Sequence, residues 1–126
     1  MTTNEVVEAI RTVSRDYNHS QQGGSDTETP DLSDIFEPNA YENRIADILE
    51  NIDEHTAVKI LNLMYIRREI EEDEDFSTCY QRMVRVLNQN REHAILKVSE
   101  KLPVLDQYLS DALELAKKDR VDIEKL

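Results

Sequence analysis

The densest group of metal-binding side-chain types lies near the middle of the chain, in the acidic run Glu69-Ile-Glu-Glu-Asp-Glu-Asp75. Alternate carboxylates of this kind are the ligands that calcium takes from an EF-hand loop. With Glu71 in the first loop position, however, the sixth position is Phe76 instead of glycine. The twelfth is Arg82 instead of the bidentate glutamate. The run therefore predicts no calcium site.

We expect a simpler role for these acids, which precede a predicted helix. Negative side chains are stabilised near the positive N-terminal end of a helix. The alternative is a partner-binding patch made by Glu71, Glu72 and Asp73.

The remaining chemistry-bearing residues are three histidines and one cysteine, His19, His55, His93 and Cys79. No His-x₃-His or Cys-x₂-Cys spacing occurs among them, so the sequence predicts no zinc site. Cys79 stands between apolar residues of a predicted helix and is expected to be a buried small side chain rather than a nucleophile. An enzyme would have to assemble a polar pocket from residues distant in sequence: His55, Arg82, Arg85 and His93. We predict no catalytic residue, no metal and no cofactor.

The net charge of the chain limits the kinds of partner that can be expected. The chain has 126 residues, 27 Asp and Glu against 15 Lys and Arg, and a net charge of -12. Such a charge repels nucleic-acid phosphates and anionic membrane surfaces, so neither is an expected partner. The N-terminus shows no signal peptide, and one cysteine fits a reducing compartment, so a cytoplasmic location is predicted.

The charges are also unevenly distributed. Residues 20–55 contain ten acids and one base, whereas residues 76–101 contain two acids and five bases. This polarity favours either pairing within the monomer or a charged partner, including head-to-tail self-association.

Helical periodicity dominates the chain and predicts one all-α domain over residues 1–126, a compact bundle of five or six helices. The predicted helices are Thr3–Tyr17, Ala40–Asn51, Glu54–Glu69, Phe76–Asn90, Glu92–Ser99 and a last one that begins near Pro103. Residues 19–38 are expected to form a mobile acidic loop, and residues 118–126 a fraying tail. Capping boxes are predicted at Thr2 with Glu5 and at Asn39 with Glu42. The short Ile52-Asp53 link predicts an antiparallel hairpin of the second and third helices.

The third and fourth helices give the most specific expectations about surfaces. The third is apolar almost all round, which places it at the centre and leaves Leu63 and Ile66 in need of a cover. Helix one, the acidic loop or a second subunit could supply that cover. The predicted buried face of the fourth helix consists of Phe76, Tyr80, Met83, Val84 and Leu87, and its solvated face of Thr78, Arg82, Arg85 and Gln89.

Two segments resemble a known family. The first runs Ile48-Leu-Glu-Asn-Ile-Asp-Glu-His-Thr-Ala-Val-Lys-Ile-Leu-Asn-Leu-Met-Tyr-Ile-Arg-Arg68 and leads to the helix at Phe76; the second is Pro103-Val-Leu-Asp-Gln-Tyr-Leu-Ser-Asp-Ala-Leu113. Together they resemble a small bacterial family catalogued as a domain of unknown function, the 3775 family, over residues 39–113. The resemblance implies a helical fold in a bacterial cytoplasm. The family has no established activity or catalytic residues, so the resemblance implies nothing about function. Here Arg67-Arg68-Glu69-Ile70 replaces the family's glycine-containing turn.

The sequence therefore favours a non-enzymatic protein-interaction module, with a homodimer through Leu63 and Ile66 as one form of it. The alternative is an acidic inhibitor that mimics nucleic-acid phosphates and blocks a basic protein, which the carboxylates of residues 26–75 suggest.

Overall fold

The computed structural model describes residues 1–24, 40–86 and 90–126. Within these ranges the protein is all-α, as predicted, and contains no strand. The helices are α1 (Thr3–Gly24), α2 (Ala40–Glu50), α3 (Glu54–Glu69), α4 (Phe76–Val86), α5 (Arg91–Glu100) and α6 (Leu105–Lys118). Two short 3₁₀ turns, η1 (Leu102–Val104) and η2 (Ile123–Lys125), flank α6.

Helix α1 is longer than predicted. Its start agrees with the predicted capping box, because the Thr2 amide donates to Glu5 Oε1 at 2.9 Å and the Glu5 amide donates to Thr2 Oγ1 at 3.1 Å. Its end is at Gly24, so the predicted loop is wrong for residues 19–24. The polar residues after Tyr17 lower helix propensity only slightly, and the two glycines, which lower it more, stand in the last turn. The rest of the predicted loop (residues 25–38) and the Asn39 cap lie outside the described residues.

Helix α3 occupies the centre of the bundle and begins and ends as predicted. It packs against α4, α5 and α6 and also touches α1. Eight of its residues are buried: Ala57, Lys59, Ile60, Leu61, Asn62, Leu63, Met64 and Ile66. A helix covered on so many sides has no continuous polar face, which explains its unusual sequence pattern.

The predicted hairpin of α2 and α3 is wrong. Helix α2 packs along α1 and α5, and its buried side chains are Ile45 and Leu49. A short link fixes the distance between two helix ends but not the angle between their axes. At this link the Arg91 guanidinium donates to the Ile52 carbonyl oxygen at 2.9 Å, so α5 holds the junction.

The C-terminal segment is docked, which corrects the predicted fraying of residues 118–126. Ile123 is buried in the core, and the Glu124 carboxylate accepts hydrogen bonds from the amides of Thr3 and Asn4, both at 2.8 Å. These amides belong to the first turn of α1, where a helix has no internal acceptors for its N–H groups. The C-terminal turn therefore caps the N-terminal helix.

Lys59 connects the same two ends from inside. Its side chain is 3 % exposed, and its ammonium group donates to Thr3 Oγ1 at 3.1 Å and to the Ile123 carbonyl at 2.9 Å. A buried ammonium group is tolerated only where hydrogen-bond acceptors replace water. Lys59 is thus a structural link between α1, α3 and η2.

We expect Lys59→Ala to lower the free energy of unfolding by about 1–3 kcal/mol, because it leaves a buried carbonyl and hydroxyl unpaired. Urea unfolding followed by circular dichroism measures the loss. Lys97→Ala is the control, since Lys97 is partly exposed and makes only a 3.5 Å ion pair with Glu100. Equal midpoints for the two variants would contradict the structural role of Lys59.

Candidate functional site

The acidic run forms a turn between α3 and α4 that Arg82 holds closed. The Arg82 guanidinium donates to both Glu74 carboxylate oxygens, at 2.9 and 2.8 Å, and to the Glu69 carbonyl at 2.7 Å. Glu74 Oε1 also accepts from the Glu71 amide at 3.1 Å. Hydrogen bonding to Arg82 lowers the pKa of the Glu74 carboxyl to about 2. Inside this turn, Glu74 and Arg82 therefore neutralise each other's charge and supply each other's hydrogen bonds.

The next acid serves the helix, as predicted. Asp75 Oδ1 accepts from the Thr78 amide at 2.7 Å, and Asp119 Oδ2 from α6's end accepts from the Phe76 amide at 2.7 Å. Both carboxylates therefore cap the N-terminus of α4. Glu71, Glu72 and Asp73 are exposed at the edge of a cleft of about 450 Å³. Among the residues that the structure describes, no group of three or more His, Cys, Asp or Glu is placed to hold a metal ion.

The Glu74–Arg82 pair predicts acid sensitivity. Because the pKa of Glu74 is lowered to about 2 from an ordinary value of 4.5, the pair contributes stability above pH 4.5 and loses it as the pH falls towards 2. We expect Glu74→Gln to melt below the wild type at pH 7, with a difference that shrinks through this window. Melting curves from pH 7 to pH 2 measure it. The exposed Glu72→Gln variant is the control, and a Glu74→Gln difference independent of pH would contradict the assignment.

The two apolar residues predicted for an interface are not on the surface. Leu63 and Ile66 both have 0 % exposure within the single chain. The neighbouring helices supply the cover that the sequence left unassigned. The expectation of an exposed interface at Leu63 and Ile66 is therefore wrong, and both residues belong to the core.

The structure instead shows an accessible apolar groove between α3, α4 and the C-terminal residue. It has a volume of about 420 Å³ and is lined by His55, Val58, Tyr80, Gln81, Val84, Arg85 and Leu126. His55 Nε2 lies 2.8 Å from the Leu126 carbonyl oxygen, which fixes one end of the groove.

Helix α4 contributes two parallel rows to the groove. Tyr80 and Val84 are one turn apart, and so are Gln81 and Arg85, so each pair lies along one line of the helix surface. The first row is apolar and the second is polar. Val84 is 44 % exposed, which corrects its predicted place on the buried face of α4. Val84 is thus far more exposed than Tyr80, the other residue of the apolar row.

Beneath the groove lies a buried polar residue. Asn62 has 0 % exposure, and neither its amide nitrogen nor its amide oxygen has a hydrogen-bond partner of ordinary geometry among the described residues. It is next to Tyr80, whose ring stacks on Phe76 at 6.3 Å between centroids. Burial raises the pKa of Tyr80 to about 12, and the nearby Asn62 side chain opposes that rise. Tyr80 therefore stays neutral at physiological pH.

A catalytic pocket would have required His55, Arg82, Arg85 and His93 together. Of these four residues, only His55 and Arg85 line the groove. Arg82 is occupied by Glu74, and His93 is exposed in the first turn of α5, away from the groove. Cys79 is buried, as predicted, and burial raises the pKa of its thiol to about 11. At neutral pH it is a thiol and a poor nucleophile.

A third cleft, of about 370 Å³, lies between α3 and α6. The ion pair of Arg67 with Asp111, at 3.2 Å, lines it, and Arg68 stacks over the Tyr65 ring at 4.5 Å. Its two arginines are therefore already engaged, Arg67 with Asp111 and Arg68 with Tyr65. The groove at Val84 is the better candidate, because its apolar wall and its arginine have no such partners within the described chain.

Comparisons with protein-family models, with curated proteins and with solved structures find no match to this chain. The resemblance to the 3775 family over residues 39–113 therefore stays a prediction. The fold and the groove assign the chain only to a structural class: it is an all-helical protein with an accessible apolar groove. None of the helices in the described ranges is long and apolar enough to cross a membrane.

Proposed function

We propose that this protein is a non-enzymatic interaction module that binds an apolar segment of a partner protein in the groove between α3 and α4. The observation that carries the proposal is the exposed wall of Val84, beside Tyr80 and Arg85. Tyrosine and arginine are enriched at the centres of protein interfaces, where an apolar anchor fills a pocket. We propose a location in the bacterial cytoplasm, which the single cysteine, a free thiol, fits.

The chemistry of the groove supports binding rather than catalysis. Its seven lining residues include no carboxylate side chain and no thiol. Tyr80, with a pKa near 12, is a poor acid and a poor nucleophile at neutral pH. The side chains of this groove offer apolar contact, one guanidinium, one imidazole, one amide and one phenol hydroxyl.

A photo-crosslinking amino acid placed at Gln81 tests the proposal in native cells. Gln81 is exposed on the polar row of α4, and exposed Gln107 on α6 gives the matched control position. We expect a crosslinked protein at Gln81 that is absent at Gln107, and its mass distinguishes a second copy of this chain from a different protein. The same products at both positions, or none at Gln81, would contradict a role for the groove.

The acidic-inhibitor hypothesis has one observation in its favour, the exposed carboxylates of Glu71, Glu72 and Asp73. If they imitate phosphates, binding to a basic partner weakens steeply as salt rises. Replacing all three by the corresponding amides should then weaken that binding, whereas Val84→Asn should leave it unchanged. Salt-insensitive binding would exclude this function.

A further inference from the structure

The two arginines of α4 that stand three residues apart differ in what they contact. Arg82 is held by both oxygens of Glu74. Arg85 is exposed, and among the described residues no carboxylate lies within ion-pair distance of it. One guanidinium is therefore neutralised within the fold, while the other stands at the edge of the groove.

The position of Arg85 relative to the apolar wall constrains what fits there. The apolar row of Tyr80 and Val84 lines the groove together with Val58 and Leu126, and the polar row of Gln81 and Arg85 runs beside it along α4. A segment that lays an apolar side chain against Val84 brings its neighbouring side chain close to Arg85. A carboxylate in that place forms the two parallel hydrogen bonds that a guanidinium offers.

From this arrangement we infer that the occupant is an acidic amphipathic segment of a partner protein, with an apolar anchor at Val84 and a carboxylate at Arg85. The inference rests on the proposed function and adds the chemistry of the partner. A neutral or basic segment would leave the Arg85 guanidinium without a counterion at the rim of the interface. Charge complementarity of this kind selects partners and fixes their register.

The net charge of -12 repels an acidic ligand at long range. The ionic strength of the binding measurement must therefore be high enough to screen this repulsion. At physiological ionic strength the screening length is about 8 Å, so distant carboxylates lose most of their effect. A guanidinium and a carboxylate in contact are screened much less. Measurements at this salt concentration therefore report the local pair.

The experiment compares three synthetic peptides that share one apolar face and carry Glu, Gln or Lys on the other. Fluorescence anisotropy with the full chain measures their dissociation constants. We expect the Glu peptide to bind about fivefold more tightly than the Gln peptide, at the upper end for an exposed ion pair, and the Lys peptide to bind least tightly. Arg85→Glu should reverse the order of the Glu and Lys peptides.

Arg15→Glu is the matched control, because it makes the same charge change at an exposed position of α1 that lies outside the groove. It should leave the order of affinities unchanged. Equal binding of the Glu and Gln peptides, unaffected by Arg85→Glu, would overturn the acidic partner while leaving the apolar groove in place. Tightest binding of the Lys peptide would overturn it as well. If none of the peptides binds, both the inference and the proposed function fail.

Discussion

Leu63→Asp should unfold this protein. Leu63 has no exposed surface and lies on α3, which packs against four other helices. An aspartate there either buries a charge without a partner or takes up a proton and still lacks hydrogen bonds. The expected loss exceeds about 4 kcal/mol, which approaches the lower end of the roughly 5–15 kcal/mol that stabilises a typical domain. Far-ultraviolet circular dichroism should show the loss of helix.

The same substitution at an exposed leucine is the control. Leu96 lies on α5 and is 56 % exposed, so Leu96→Asp should change the free energy of unfolding by no more than about 0.5 kcal/mol. The milder Leu63→Ala variant gives a measurable value of about 2–5 kcal/mol in urea. A folded Leu63→Asp protein with a normal melting curve would contradict the core position and revive the original interface hypothesis.

Val84→Asn should weaken binding of an apolar partner segment about tenfold without changing stability. Val84 is 44 % exposed in the free chain, so the fold depends little on its methyl groups. Covering that exposed part in a complex stabilises the complex by roughly 1–2 kcal/mol, and asparagine forfeits this contribution. Asparagine adds no charge, so the effect separates apolar contact from the charge of Arg85. Anisotropy titration with the Gln peptide measures it.

Val104 provides the matched control for this prediction. It is 36 % exposed in η1 and is not among the residues that line the groove. Val104→Asn should leave the dissociation constant unchanged. If both variants weaken binding equally, the peptide does not occupy the groove, and if neither does, Val84 is not its apolar anchor.

Local features of this fold were predictable because they depend on residues near in sequence. The start of α1 follows from the reciprocal bonds of Thr2 and Glu5, and the capping of α4 from Asp75. The centrality of α3 was also predictable, because a helix with apolar residues on every side must be covered. The helices that cover Leu63 could not be predicted, because helical periodicity shows which face is buried but not which element packs against it.

The docked tail and the groove depend on contacts between residues distant in sequence. Glu124 reaches the amides of α1 across a separation of about 120 residues, and His55 meets Leu126 across 71. The buried Lys59 was a signal that the sequence offered, because a lysine on an otherwise enclosed helix needs acceptors inside the fold. The sequence offered no comparable signal that Val84 is exposed. Val84 follows the buried Tyr80 by four residues, which is the spacing expected of another residue on the same buried face.

Amide chemical-shift mapping determines whether the groove between α3 and α4 is the binding surface. The ¹⁵N-labelled full chain is titrated with the Glu peptide at physiological salt. If the groove binds the peptide, the largest shifts at saturation occur at the groove residues His55, Val58, Val84, Arg85 and Leu126. Saturable shifts confined to the acidic turn at Glu71, Glu72 and Asp73, with the groove amides unmoved, would contradict binding in the groove.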